Sequence, residues 1–154
     1  MSGDDILAIS GTAVAIGDKA VLLVGPSGSG KSDLALRLID GGAQLIADDR
    51  AELVIEAGRL CCQAPRDMPP ALLGFIEARG VGILPVAVAS GAVPLQWLVE
   101  LVPPDRVERL PAAETRSFLG HLVPVLRLSA FEASTPAKLR LAVASGPGLI
   151  MGRE

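Results

Sequence analysis

Gly25-Pro26-Ser27-Gly28-Ser29-Gly30-Lys31-Ser32, entered from the apolar run Ala20-Val21-Leu22-Leu23-Val24, is the stretch that decides the fold. It matches the strand–P-loop–helix pattern in full. Glycines let the backbone curl so that successive N–H groups point inward at phosphate oxygens, in conformations that a Cβ obstructs. Lys31 supplies a compact positive charge for the outer phosphates, and the Ser32 hydroxyl is a ligand type for Mg²⁺. The helix that follows points its positive dipole end at the same anion. A plain glycine-rich turn is the competing reading, and it leaves the joint fit of strand, motif and helix unexplained. The stretch therefore implies a site for a nucleoside triphosphate or for a ligand with the same phosphate tail.

Outward from the loop, Leu34, Ala35, Leu38 and Ile39 form an apolar stripe at helical spacing, with Asp33, Arg37 and Asp40 outside it. Gly41-Gly42 stops that helix, and residues 44–47 form the next strand, so a right-handed β–α–β crossover is expected. Upstream, residues 6–9 and 12–16 read as short strands parted by Ser10-Gly11, with a hairpin signal at Gly17-Asp18. Downstream, residues 51–56 and 59–63 bracket a second hairpin at Ala57-Gly58, and Pro69-Pro70 opens a short helical turn. Residues 75–84 are an apolar segment broken by charge and glycine. Residues 95–102 make a strong strand ended by Pro103-Pro104, residues 107–111 a loop or short edge, and residues 123–128 a late strand. Ser134-Thr135-Pro136 reads as an N-cap with proline in the first turn of a last helix. So many strands around one loop helix predict a mixed α/β sheet, not a purely parallel doubly wound one.

A chain of 154 residues has room for one well-buried core, and a single domain over 1–154, with its core at about 10–145, is expected. Half of the residues are hydrophobic and 20% are charged, which excludes long disorder. A net charge of −3 provides no basic field for a nucleic acid. No apolar run reaches the roughly 18 residues that a bilayer span needs. Met1-Ser2-Gly3-Asp4-Asp5 is acidic where a secretory signal would be basic, so a cytoplasmic protein is expected. Cys61 and Cys62 are adjacent and point to opposite faces of a strand, which suits two small reduced hydrophobes better than a metal site.

Phosphoryl transfer needs a metal, a group that accepts the proton of the attacking hydroxyl, and cations that balance the moving charge. Asp48-Asp49 ends the strand after the loop helix, where a metal-holding or base carboxylate is delivered. Two adjacent carboxylates repel, and that repulsion suits one of them to act as a base. Glu77 and Arg79 lie two apart and fit one face of a strand, with Gly80 and Gly82 allowing close approach of a ligand or another backbone. A surface ion pair fits that spacing equally well. Arg109 reads as an ordinary solvated arginine, and His121, in an apolar neighbourhood, as a hydrogen-bonded structural imidazole.

Gly25–Ser32, Asp48-Asp49 and Glu77-Ala78-Arg79-Gly80-Val81-Gly82-Ile83 together resemble the catalytic domain of HPr kinase/phosphorylase over about residues 10–145. That bacterial family phosphorylates a serine of the phosphocarrier protein HPr. The resemblance implies a P-loop fold of the HPr-kinase/PEP-carboxykinase kind, with ATP and Mg²⁺ as cofactors and HPr or a paralogue as partner. It also implies homo-oligomers, since family members are often hexameric. By resemblance, Lys31 is the P-loop lysine, Ser32 the Mg²⁺ ligand, Asp49 the acceptor of the serine proton with Asp48 beside it, Glu77 a further metal position, and Arg109 the catalytic arginine.

Three departures stand against the long forms of the family. The chain begins almost at the catalytic core, like the short form of some proteobacteria. Ser10 stands where the family has a histidine before the loop, and the C-terminal Arg-Pro-Gly-Arg-Asn loop is absent. These weigh against the reverse, phosphorylase reaction and leave the ATP site intact. Two rival readings stay open: a P-loop kinase of small molecules, disfavoured by a lysine set of only Lys19, Lys31 and Lys138, and a nucleotide-sensing module without transfer activity.

Overall fold

The computed structural model describes residues 5–152. Strands β1 (Ile6–Ser10), β2 (Thr12–Ile16) and β3 (Lys19–Val24) come first, β2 and β3 forming an antiparallel hairpin. Helix α1 (Lys31–Asp40) follows the loop, then β4 (Gln44–Ala47), β5 (Arg50–Glu56) and β6 (Arg59–Gln63). The chain continues through β7 (Phe75–Ala78), β8 (Gly82–Pro85), β9 (Val93–Leu101), β10 (Thr115–Phe118), β11 (His121–Leu128) and α2 (Thr135–Ser145). No helix of the described residues is long and apolar enough to cross a membrane.

The main sheet runs β1-β5-β6-β9-β3-β2-β4, and it forks at β9. One edge of β9 runs parallel to β3, from Leu95 opposite Ala20 to Glu100 opposite Val24. On the other edge, Val93 and Pro94 pair antiparallel with β6, while Leu98 to Leu101 pair parallel with β11. The fork lets the sheet curl upon itself. Ala13, Ala15, Ala20 and Leu22 of the central strands thus pack against Leu53, Leu60 and Cys62 of the β5–β6 arm and Val125 of β11. The opposite face carries Val14, Val21, Leu23 and Trp97, covered by Leu34, Ala35 and Leu38 of α1 and Leu139 of α2. The two faces together form a mixed α/β architecture, in agreement with the expected fold class.

The expected β–α–β crossover is realised with a difference. β4 does not lie beside β3, because the β2–β3 hairpin already occupies that edge and β2 stands between them. Both β3 and β4 run antiparallel to β2, so they remain parallel to each other. Residues 75–84 form a separate two-stranded hairpin, β7–β8, in which Ile76 is buried against the α1 side and Val81 and Ile83 stay exposed. Arg79 lies in the turn of that hairpin, not on a strand face with Glu77. Ser134 occupies the cap position of α2 without a side-chain cap bond. The buried Thr135 hydroxyl beside it instead donates to the Ser129 carbonyl at 2.5 Å.

Candidate active site

The loop between β3 and α1 begins with a turn, Ser29 N–H donating to the Pro26 carbonyl at 3.0 Å. Gly30 then takes φ 97° and opens the helix without any side-chain cap bond. A Cβ on Gly30 would stand 2.6 Å from Ala130 Cβ and 2.8 Å from Phe131 Cζ, so only glycine lets the loop seat against the segment after β11. The first-turn amides of α1 have no intrahelical acceptors, as at any helix start, and no side-chain cap competes for them, which suits the helix start to an anion. Ser29 Oγ is a buried hydroxyl with no hydrogen-bond partner in the loop. Lys31 Nζ folds over the loop and donates to the carbonyls of Gly25 at 2.7 Å and Pro26 at 3.1 Å. An ammonium so close to two loop carbonyls is held at the mouth of the cradle.

One carboxylate oxygen gathers the rest. Asp48 Oδ1 accepts the Ser32 hydroxyl at 2.8 Å and the Thr12 hydroxyl at 3.0 Å. Thr12 Oγ1 in turn accepts the Asp49 N–H at 3.3 Å. The doublet is further fixed by Gly11 N–H donating to Asp49 O at 2.9 Å and Arg50 N–H to Asp48 O at 2.8 Å. Asp49 adopts φ 68°, a left-handed conformation that aspartate tolerates better than most residues. The twist separates the two carboxylates: Asp48 is half-buried against Ser32, while Asp49 is exposed. Thr12, fully buried, was not singled out by the sequence, because a threonine opening a strand reads as a β-former.

A hydroxyl and a carboxylate beside a phosphate cradle match what Mg²⁺ takes: one or two protein oxygens, with phosphate oxygens and water completing its shell. No group of three or more His, Cys, Asp or Glu able to hold a metal occurs among the described residues, so a dedicated all-protein cage is not what this site offers. Ser32 and Asp48, two residues of the motifs singled out in the sequence, are brought together by the hydrogen bond between them. The side chains of Glu77, exposed on β7, and Arg109, exposed in the β10 approach, make no hydrogen bond or ion pair among the described residues and are not tied to the cradle. Among the described residues, chain neighbours apart, no atom approaches a Cβ placed on Gly80 or Gly82 within 4 Å. His121 begins β11, opposite Phe118, and so lies at the strand end away from the loop, with no hydrogen bond to its ring among the described residues.

Another charged group went unread in the sequence. Glu100, opposite Val24 at the end of β3, accepts Arg116 Nη1 at 2.6 Å and pairs with Arg127 Nη2 at 3.0 Å. Arg127 also grips Glu114 through two bonds of 2.6 and 2.7 Å. The Arg127 guanidinium holds the Glu114 carboxyl below the usual carboxylate range. The four side chains tie β9, β10 and β11 together and leave Glu100 neutralised. In β6, burial pushes the Cys62 thiol up to about 12 and raises Cys61 as well, so both behave as the inert hydrophobes expected.

The HPr Serine kinase C-terminal domain matches residues 5–128. The chain belongs to that family. It is 36% identical over 111 residues to HPr kinase/phosphorylase of Bordetella petrii, covering 65% of this chain and 35% of that protein. It is 38% identical over 119 residues to the Aromatoleum aromaticum enzyme of the same name (70% and 36% covered). With that of Burkholderia lata it shares 34% over 126 residues (73% and 37% covered). The chain thus spans little more than a third of the curated relatives it matches. The solved Hpr(Ser) kinase/phosphatase of Coxiella burnetii superimposes with a TM-score of 0.75 at 27% identity, over 90% of this chain and 89% of that one. This HPr kinase family member thus shares a curled mixed sheet with its solved relative as well as sequence.

Proposed function

We propose that the chain is an ATP-dependent protein-serine kinase that transfers the γ-phosphoryl group to a serine of HPr. The observation that carries the reading is Ser32 Oγ on Asp48 Oδ1 at 2.8 Å beside a complete phosphate loop, with Asp49 free on the next residue. The loop amides and Lys31 hold the triphosphate and balance charge on the outer oxygens. Ser32 and Asp48 would hold Mg²⁺, which when bound would neutralise charge on the phosphate oxygens. Asp49 accepts the proton as the serine oxygen bonds to the γ-phosphorus and the bond to the β-phosphate oxygen breaks, releasing ADP. The metal role of Glu77 and the charge-balancing role of Arg109 rest on family resemblance, since neither side chain is tied to the cradle. Their exposure leaves them open to meet a substrate.

The test is incubation with γ-labelled ATP, Mg²⁺ and purified HPr. Acid-stable serine label on HPr is expected, and Asp49→Asn should lower the transfer rate at least about 100-fold while MgATP affinity stays unchanged. Normal transfer by that variant would refute the base assignment. ATP binding without label on HPr would point to a small-molecule kinase or a nucleotide sensor instead.

A further inference from the structure

Aromatic side chains are scarce here: three phenylalanines, one tryptophan and no tyrosine. Trp97 is fully buried, Phe118 packs on the core and Phe75 opens β7 at 42% exposure, whereas Phe131 is 66% exposed. Lone exposed apolar residues are ordinary. The position of Phe131 is not, since its Cζ stands 2.8 Å from where a Cβ on Gly30 would be, at the rim of the phosphate cradle. Its backbone is pinned on both sides. The Arg37 guanidinium donates to the carbonyls of Ala130 and Glu132, Thr135 Oγ1 donates to the Ser129 carbonyl, and Ala130 is buried. The segment is fixed while one ring is left open to solvent.

Sheet order gives that ring a direction. Asp48 follows β4 on one flank of the loop strand β3, and Phe131 follows β11 on the other. A triphosphate whose metal-bearing end lies at Ser32 and Asp48 extends its nucleoside end toward the β9–β11 flank. We propose that Phe131 is the nucleobase platform of this site, stacking its open ring face on the purine of the bound nucleotide. The assignment rests on reading Gly25–Ser32 as the nucleotide loop. Stacking on a π-face discriminates little between bases, so adenine and guanine are both accepted. A pre-positioned ring also loses little freedom on binding.

Calorimetry on the whole chain with MgATP, MgGTP and magnesium tripolyphosphate separates base from phosphate. Phe131→Ala should weaken ATP and GTP about tenfold and leave tripolyphosphate unchanged. Phe131→Trp should retain nucleotide affinity, and its new exposed indole should be quenched by ATP and not by tripolyphosphate. Equal loss of all three ligands in Phe131→Ala would show that the ring supports the loop through Gly30, and unchanged ATP affinity would show that the base lies elsewhere. Either overturns the platform and leaves the loop reading standing. A wild-type chain that binds none of the three ligands overturns both.

Discussion

Asp48 and Asp49 are neighbours with different surroundings, and Thr12 is the residue that makes the difference. Its hydroxyl donates to Asp48 and accepts from the Asp49 amide, bridging the end of β4 to the start of β2. Thr12→Val keeps the shape and removes both bonds, leaving the Asp49 amide without its acceptor and Asp48 Oδ1 without one of its donors. A loss of about 1–3 kcal/mol is expected, read as a lower urea midpoint, with transfer to HPr falling more than nucleotide affinity. The place of the doublet was legible, since it directly follows the strand after the P-loop helix. Thr12 was not, because its role depends on a contact 36 residues away. The cysteines were legible through strand alternation alone. With the Cys62 thiol pushed up to about 12 by burial, its folded value lies above the unfolded 9.0. That thiol therefore adds stability below pH 9.0 and loses it as pH rises toward 12. At pH 8 iodoacetamide should leave Cys62 unmodified in the native chain and alkylate it in guanidinium.

At the level of elements, α1 was the clearest. A 3.6-residue apolar period and a Gly-Gly stop specify it locally, and Leu34, Ala35 and Leu38 are buried as the period requires. Its start is tuned by packing. Gly30→Ala would force a β-carbon into Ala130 and hold it at φ 97°. Destabilisation by about 2 kcal/mol or more is expected in thermal melts, with phosphate affinity lost alongside. β10 and the β7–β8 hairpin were not legible. Thr115-Arg116-Ser117-Phe118 has no apolar alternation and becomes a strand only by pairing with β11 and through the Arg116–Glu100 and Arg127–Glu114 pairs. Because the Glu114 carboxyl is depressed by Arg127, its contribution is present above the unfolded 4.5 and is lost as pH falls through the lower folded value. Glu114→Gln should flatten the acid limb of the stability curve, measured by urea midpoints from pH 6 downward.

For the whole molecule, the sequence motif fixed one loop and its two flanking elements, while the sheet order came from contacts far apart in the chain. The β2–β3 hairpin displaces β4 from the edge of β3, and β9 forks between β6 and β11; neither event leaves a local trace. The result is a sheet that wraps one core around β2–β3 and presents the other to the helices, with every assigned group of the cradle at one end of the parallel pair β3–β9. At that end, main-chain amides and the Lys31 ammonium are placed to grip a triphosphate. Titration calorimetry of the folded chain with MgATP should give one site per chain, lost in Lys31→Ala with the melting curve unchanged. No heat from ATP, GTP or pyrophosphate in the presence of magnesium, or undiminished binding by Lys31→Ala, would contradict it.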